Sequence, residues 1–238
     1  PAASWKASHN YHHAHVGDMA SSHVGSFPVM SVEQWRKSTK GERFAYRMAR
    51  HPAVIVLLAY ITVFGFSVTI APLLRKPLKH LDSFGSILLH GGLIASLWYF
   101  VGWDAALFGV LIPFFASAAL GSYLFYAQHN CEGIKHYETK DWNFHSAALE
   151  SSSYLKMSRV MHWFTGNIGY HHVHHLNLSI PFYRLPEAMK AIPALQNPVV
   201  TTLRPRDLVR SFSLKLWDGS LGRMVTFREA RAKSLTVR

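Results

Sequence analysis

The sequence predicts an all-α integral membrane protein: a transmembrane helical hairpin plus a re-entrant or interfacial helix, with a cytoplasmic helical cap holding a histidine-rich site for two metal ions. Three observations predict it. Three long stretches contain no Asp, Glu, Lys or Arg. Hydrophobic residues make up 49% of the chain and charged residues only 16%, well below the roughly 25% of ordinary soluble domains. Histidines crowd into two short windows: positions 9–15 and 171–175 hold eight of the 16 histidines in twelve positions.

Taken in order, residues 1–52 carry the first histidine window and a basic segment, 53–128 form the membrane region, and 129–238 carry the second window and the rest of the cap, all within one domain. The charge-free stretches are 53–74, 83–103 and 105–128, each about 20 residues or more and long enough to cross a hydrocarbon core of roughly 30 Å as a helix. Only Asp104 separates the second from the third, which makes them a tight hairpin. Lys and Arg cluster before the first stretch (Arg36 to Arg50), after it (Arg75, Lys76, Lys79) and after the third (Lys135, Lys140), whereas the turn at Asp104 has none. The positive-inside rule then puts both ends of the first stretch and both ends of the hairpin on the cytoplasmic side. With Gly65 and Pro72 inside it, the first stretch reads as re-entrant or interfacial. Three full crossings are the alternative, and they would separate the histidine windows onto opposite faces.

The 25 Lys and Arg against 13 acids fit loops that face anionic lipid, and no nucleic-acid partner is expected. In the tail, RPRDLVRSFSLKLW mixes Leu208, Val209, Phe212, Leu216 and Trp217 with Arg206, Arg210 and Lys215. It reads as a basic amphipathic helix on the lipid surface or as a solvated helix of the cap. The single cysteine, Cys131, excludes an internal disulfide and a four-cysteine iron–sulfur cluster.

His9, His12 and His13 stand at i, i+3 and i+4, so on a helix they share one face and can converge on one ion. His171, His174 and His175 repeat that spacing. His15 and His172 fall off those faces, although His172 with His175 is an alternative pair. Six imidazoles exceed what one tetrahedral zinc or one two-His-one-carboxylate iron needs, and they suit two ions with positions left for oxygen or water. His129, where the third stretch emerges, opens onto the same face. His90 reads as hydrogen-bonded within the bundle, and His23, His51, His80, His136, His145 and His162 as loop or flank residues. No HExxH, GxSxG, Walker A or GxGxxG motif is present, so no nucleotide or flavin site is visible, and a metal centre that needs electrons takes them from a separate protein. A metal transporter with His-rich loops is a rival class, but its path should be lined with acids or histidines, and these stretches offer only His90.

WKASHNYHHAH (Trp5–His15), YAQHNCEG (Tyr126–Gly133) and FTGNIGYHHVHHLNLSIPFYRLPEAM (Phe164–Met189) resemble the membrane fatty acid desaturases, in particular the bacterial branch related to the Δ12 (omega-6) acyl-lipid enzymes. The resemblance runs over essentially the whole chain. It implies a non-haem di-iron centre that uses O2, held by histidines of three boxes on the cytoplasmic face of a membrane domain, here in a bacterial inner membrane. His9, His12 and His13 match the second box, His171, His174 and His175 the third, and His129 a further ligand after the last membrane helix. The first box, of HDxxH type, has no counterpart here, and the resemblance implies that it lies upstream of Pro1. The implied partners are the acyl chain of a membrane lipid or acyl thioester, membrane lipids, and a ferredoxin or cytochrome b5-type electron donor. A hydroxylase or carotenoid oxygenase on the same scaffold is the nearest rival.

Overall fold

The computed structural model describes residues 1–21 and 26–236, with side chains of the last helix described through residue 232. Helix α1 (Ala2–Ala14) opens the chain, and strand β1 (Met30–Ser31) leads into α2 (Val32–Lys37) and α3 (Lys40–Ala49). Both of these helices start on capping boxes, Ser31 with Gln34 and Thr39 with Glu42, which satisfy two orphan backbone N–H groups at each start. α4 (Pro52–Val56) carries Pro52 at its first turn, where a missing N–H does no harm. A π-helical run, Tyr60–Ile70, continues as α5 (Ala71–Arg75). Next come α6 (Leu81–Phe100) and α7 (Trp103–Ala106), which runs through a π-helical turn, Leu107–Leu111, into α8 (Ile112–Gln128). The rest alternates short elements: α9 (Phe144–Glu150), β2 (Tyr154–Lys156), α10 (Arg159–Phe164), α11 (His171–Leu176), α12 (Leu185–Ala191), β3 (Val200–Thr202), α13 (Pro205–Ser213), β4 (Leu216–Asp218), β5 (Arg223–Val225) and α14 (Phe227–Thr236).

The chain divides into two compact units, Pro1–Asn10 with His51–Leu124, and Tyr11–Arg50 with Phe125–Arg238. In the first, α6 and the continuous helix Trp103–Gln128 have 20 and 26 residues, and both are long and apolar enough to cross a membrane. Their large apolar side chains point outward: Leu89 is 77% exposed and Phe100 78%. Trp98 and Trp103 meet edge-on at 5.5 Å across the turn between them. The segment 53–74 is interrupted at Leu57 and Leu58, and the helix that resumes, Tyr60–Arg75, is at most about 24 Å long, short of a hydrocarbon core of about 30 Å. Its widened turns are supported by Ser67 Oγ and Thr69 Oγ1, which donate to the carbonyls of Thr62 and Phe64 at 2.8 and 2.7 Å. His90 is hydrogen-bonded to the Tyr60 hydroxyl within the bundle, as expected.

The second unit packs its short elements around several small cores, one of Val32, Tyr46, Leu216, Val225 and Ala230, another of Val173, Leu185 and Leu195. The all-α expectation needs correcting here. β4 pairs in parallel with β1 and antiparallel with β5, and β2 pairs in parallel with β3. These strands have two or three residues, too few to leave a period-two pattern in sequence. The tail departs from expectation for a related reason. Its helix α13 ends at Ser213, and Leu216 and Trp217 are buried in β4 rather than lying on an amphipathic helix.

At the centre of this unit Arg50 is fully buried. Its Nη1 donates to the Pro28 carbonyl at 2.8 Å, and its Nη2 to the Tyr126 hydroxyl and the Leu214 carbonyl, both at 3.1 Å, and to Asn130 Oδ1. The Lys215 ammonium donates to the Arg50 carbonyl; burial, with the Arg50 charge beside it, brings that ammonium down to about 8. One guanidinium thus fastens the end of α3, the loop before β1, the residues after α8 and the link between α13 and β4.

Candidate metal centre

Helix α1 delivers His12 and His13 side by side, and the chain turns immediately after it at Gly17, whose φ is +75°. That backbone region costs a non-glycine residue of order 1 kcal/mol or more. Space forbids a side chain as well: a Cβ at Gly17 would sit 2.0 Å from Ser151 Oγ. The close approach matters because the Ser151 carbonyl accepts a hydrogen bond from His129 Nδ1 at 2.8 Å. A carbonyl can only accept, so His129 carries a proton on Nδ1 and turns Nε2 towards the other rings. Gly169 sets the other side. A Cβ there would meet the Leu155 carbonyl at 2.5 Å and His162 Cε1 at 2.7 Å, so only glycine lets the chain pass this close before α11 begins at His171.

Four imidazoles converge between these supports. His129 Nε2 lies 3.1 Å from His12 Nε2, 2.8 Å from His171 Nε2 and 3.1 Å from His175 Nε2, and the last two are 3.1 Å apart. All four are buried. Burial pushes His171 and His175 well below the ordinary histidine range, and the neighbouring imidazoles reinforce it, so both are neutral. Neutral Nε2 lone pairs that face one another cannot all be satisfied by hydrogen bonds, whereas a cation at their centre satisfies them together. The spacing suits this. Metal–imidazole bonds of about 2.0–2.1 Å at right angles put neighbouring nitrogens about 3 Å apart. Among the described residues the Nδ1 atoms of His171 and His175 have no hydrogen-bond partner, so the contacts that these two rings make are at Nε2. No carboxylate or thiolate belongs to the group among the described residues.

His13 and His174 turn the other way. His13 stacks on the back of His175 at 3.9 Å and meets His174 edge-on at 4.5 Å. His9 stands one turn before His13 on α1, half-buried, and burial lowers its pKa. The two HxxHH windows are therefore not one site each. His12 joins His171, His175 and His129, while His13 pairs with His174, because residues i and i+1 on a helix point about 100° apart and each window feeds two directions. His172 turns elsewhere: its Nε2 bonds to the Leu195 carbonyl at 3.1 Å. His15 Nδ1 bonds to the Tyr11 carbonyl at 2.9 Å.

Among the histidines read as bland, His80 bonds to Ser4 and His51 caps α4, while His23 lies outside the described residues. His136 and His162 are corrections, since both are buried and, among the described residues, neither nitrogen of either ring has a hydrogen-bond partner. His136 lines a cavity of about 20 Å³ with Arg50, Ser151, His12 and His129, room for about one water. Burial, with Arg50 nearby, brings its pKa down to about 3. Arg50, Ser151 and His136 are the residues that sequence reasoning missed, and nothing local to their sequence marks them.

Residues 1–205 match the sequence profile of the fatty acid desaturase family. The chain belongs to that family. A protein of Bacillus subtilis (strain 168) named fatty acid desaturase is 30% identical over 228 residues, which cover 96% of this chain and 64% of that protein. The Delta(12) fatty acid dehydrogenase of Crepis alpina is 26% identical over 216 residues, covering 81% of this chain and 54% of that protein. The sn-1 acyl-lipid omega-3 desaturase (ferredoxin) of Nostoc sp. (strain 36) is 27% identical over 209 residues, again covering 81% of this chain and 54% of that protein. The chain thus spans between half and two thirds of these desaturase relatives.

Proposed function

We propose that the chain carries the metal-binding part of a membrane fatty acid desaturase that introduces a cis double bond into the acyl chain of a lipid or acyl thioester. The observation that carries this reading is the convergence of four buried imidazole Nε2 atoms in a chain of the desaturase family. In this reading His12, His129, His171 and His175 hold one iron, and His13 and His174, with His9 one turn away on α1, are donors to a second. When bound, an iron pair would supply the chemistry by which O2, two electrons and two protons take up two hydrogens from adjacent methylenes, leaving the double bond and two waters.

The chain's own residues provide the setting. Burial keeps His171 and His175 unprotonated, so they bind cations without first losing protons. The Ser151 carbonyl fixes the His129 tautomer, as outer partners of metal ligands do. Helix α6 and the helix Trp103–Gln128 anchor the site to a membrane, with the histidines on its cytoplasmic face, in a bacterial inner membrane. The electrons come from an external carrier.

The test is lipid analysis of cells expressing the gene, combined with metal analysis of the purified protein. New cis double bonds and iron close to two per chain are expected, and His174→Ala should abolish product while the protein stays in the membrane fraction. Hydroxylated lipids without a new double bond would move the reading to a hydroxylase, and metal uptake by vesicles without oxygen consumption would move it to a transporter.

A further inference from the structure

A groove of about 630 Å³ in the second unit is lined by five arginines, Arg36, Arg43, Arg47, Arg228 and Arg231. No Asp or Glu lines it among the described residues. The guanidinium of Arg47 sits over the rings of Trp35 and Phe227 at 5.3 and 5.4 Å, and that of Arg43 over Trp35 at 5.5 Å. Arg43 also donates to the carbonyls of Trp35 and Arg36 at 2.9 and 2.8 Å, and Arg36 to that of Ala230 at 3.4 Å. These contacts hold Arg36, Arg43 and Arg47 in place, and none of them is to an acid. Positive charge fixed in a concave site raises the local concentration and capture rate of an anionic partner, and the arginine fork matches carboxylates two oxygens at a time.

What lies behind the groove distinguishes among anionic partners. Trp35 is 5.7 Å from the ring of Tyr46. The Arg50 guanidinium is 5.8 Å from Tyr46 and 5.2 Å from Tyr126. Tyr126 meets Phe27 at 5.3 Å, Phe27 meets Phe125 at 6.2 Å, and Phe125 lies 5.0 Å from His12 and 5.4 Å from His129. A continuous ladder of π-systems therefore runs from the wall of the groove to the histidine cage, with no step above 6.2 Å. A lipid headgroup makes no use of such a ladder, and an electron carrier does.

Resting on the function proposed above, we infer that the arginine groove docks an acidic one-electron carrier protein and that the ladder beginning at Trp35 conducts its electron to the metal site. In each encounter the carrier is oxidised by one electron and the metal centre is reduced by one. Two encounters supply one turnover, and the transfer itself makes and breaks no bond.

The test uses the purified full chain in nanodiscs of neutral lipid, with an acidic plant-type [2Fe–2S] ferredoxin as the probe. Binding should weaken steeply between 50 and 200 mM salt. The double variant R36E/R47E should bind at least tenfold more weakly with its metal content unchanged. With ferredoxin saturating, Trp35→Leu should slow reduction of the metal centre at least fivefold, and Trp35→Phe much less. Unchanged ferredoxin affinity in the double variant overturns the docking, and an unchanged reduction rate in Trp35→Leu overturns the ladder. If R36E/R47E instead loses only binding to phosphatidylglycerol vesicles, the groove serves lipid, for which the exposed Phe44 and Met48 on α3 would be the apolar contacts. The two readings fail separately: cells that form no double bonds would sink the desaturase function, yet charge-dependent ferredoxin docking would still stand.

Discussion

The histidine cage and the helix α6 bury opposite things. Around His12, His129, His171 and His175 the interior is polar and every ring is hidden, whereas along α6 the large apolar residues face outward, Leu89 and Phe100 among them. In water the second arrangement is a liability. The contrast is between two kinds of burial: the imidazoles are withdrawn from water, and the leucines of α6 stand exposed at a cost that only an apolar medium, such as the membrane proposed above, would remove.

The strongest way to break this comparison is to remove one wall of the cage. His175→Ala should lose metal from the site and drop product below detection, read by elemental analysis and lipid profiling, while His172→Gln, one helix face away, should keep its metal. Next, Leu89→Lys places a charge near the middle of α6 and should cost about 2.5–3.5 kcal/mol of insertion, so that protein shifts out of the alkali-resistant membrane pellet. The same change at Leu221, exposed in the second unit, should leave fractionation as it was. Third, Gly17→Ala combines backbone strain with a collision at Ser151, and should destabilise the chain by about 2 kcal/mol or more and weaken metal binding about 10–100-fold through His129. Thermal melts with and without metal measure both effects. The effect smallest at any one pH step is a slope. His136, with its pKa lowered to about 3, is neutral when folded and takes up a proton when unfolded below about 6.5. Stability should therefore fall as pH drops from about 6.5 towards 3, by up to roughly 1.4 kcal/mol per pH unit from this group. His136→Gln should flatten that part of an acid titration.

The sequence disclosed what depends on residue type and short spacing. HxxHH twice in one chain marks a metal site because few other arrangements bring imidazoles onto one helical face, and the charge-free stretches mark α6 and the helix Trp103–Gln128 by composition alone. It did not disclose how the two windows interleave, because whether His12 or His13 faces His175 depends on how α1 and α11 cross. Arg50 looked like one more flanking cation. Its role comes from partners 76 and 164 residues away in sequence, Tyr126 and Leu214, and no local pattern encodes those. Ser151 was equally silent, since its contribution is a backbone carbonyl that any residue would supply.

The cage also has a history within each molecule. Its donors are numbered 12, 129, 171 and 175, so they leave the ribosome far apart in time. His12 waits while everything up to His175 is made. No ion can be held by all four until the last has emerged, and by then the apolar helices between them have long been made. Cofactor loading is thus deferred until His175 has been made, and a loaded site certifies that both long apolar helices between His12 and His129 came before it.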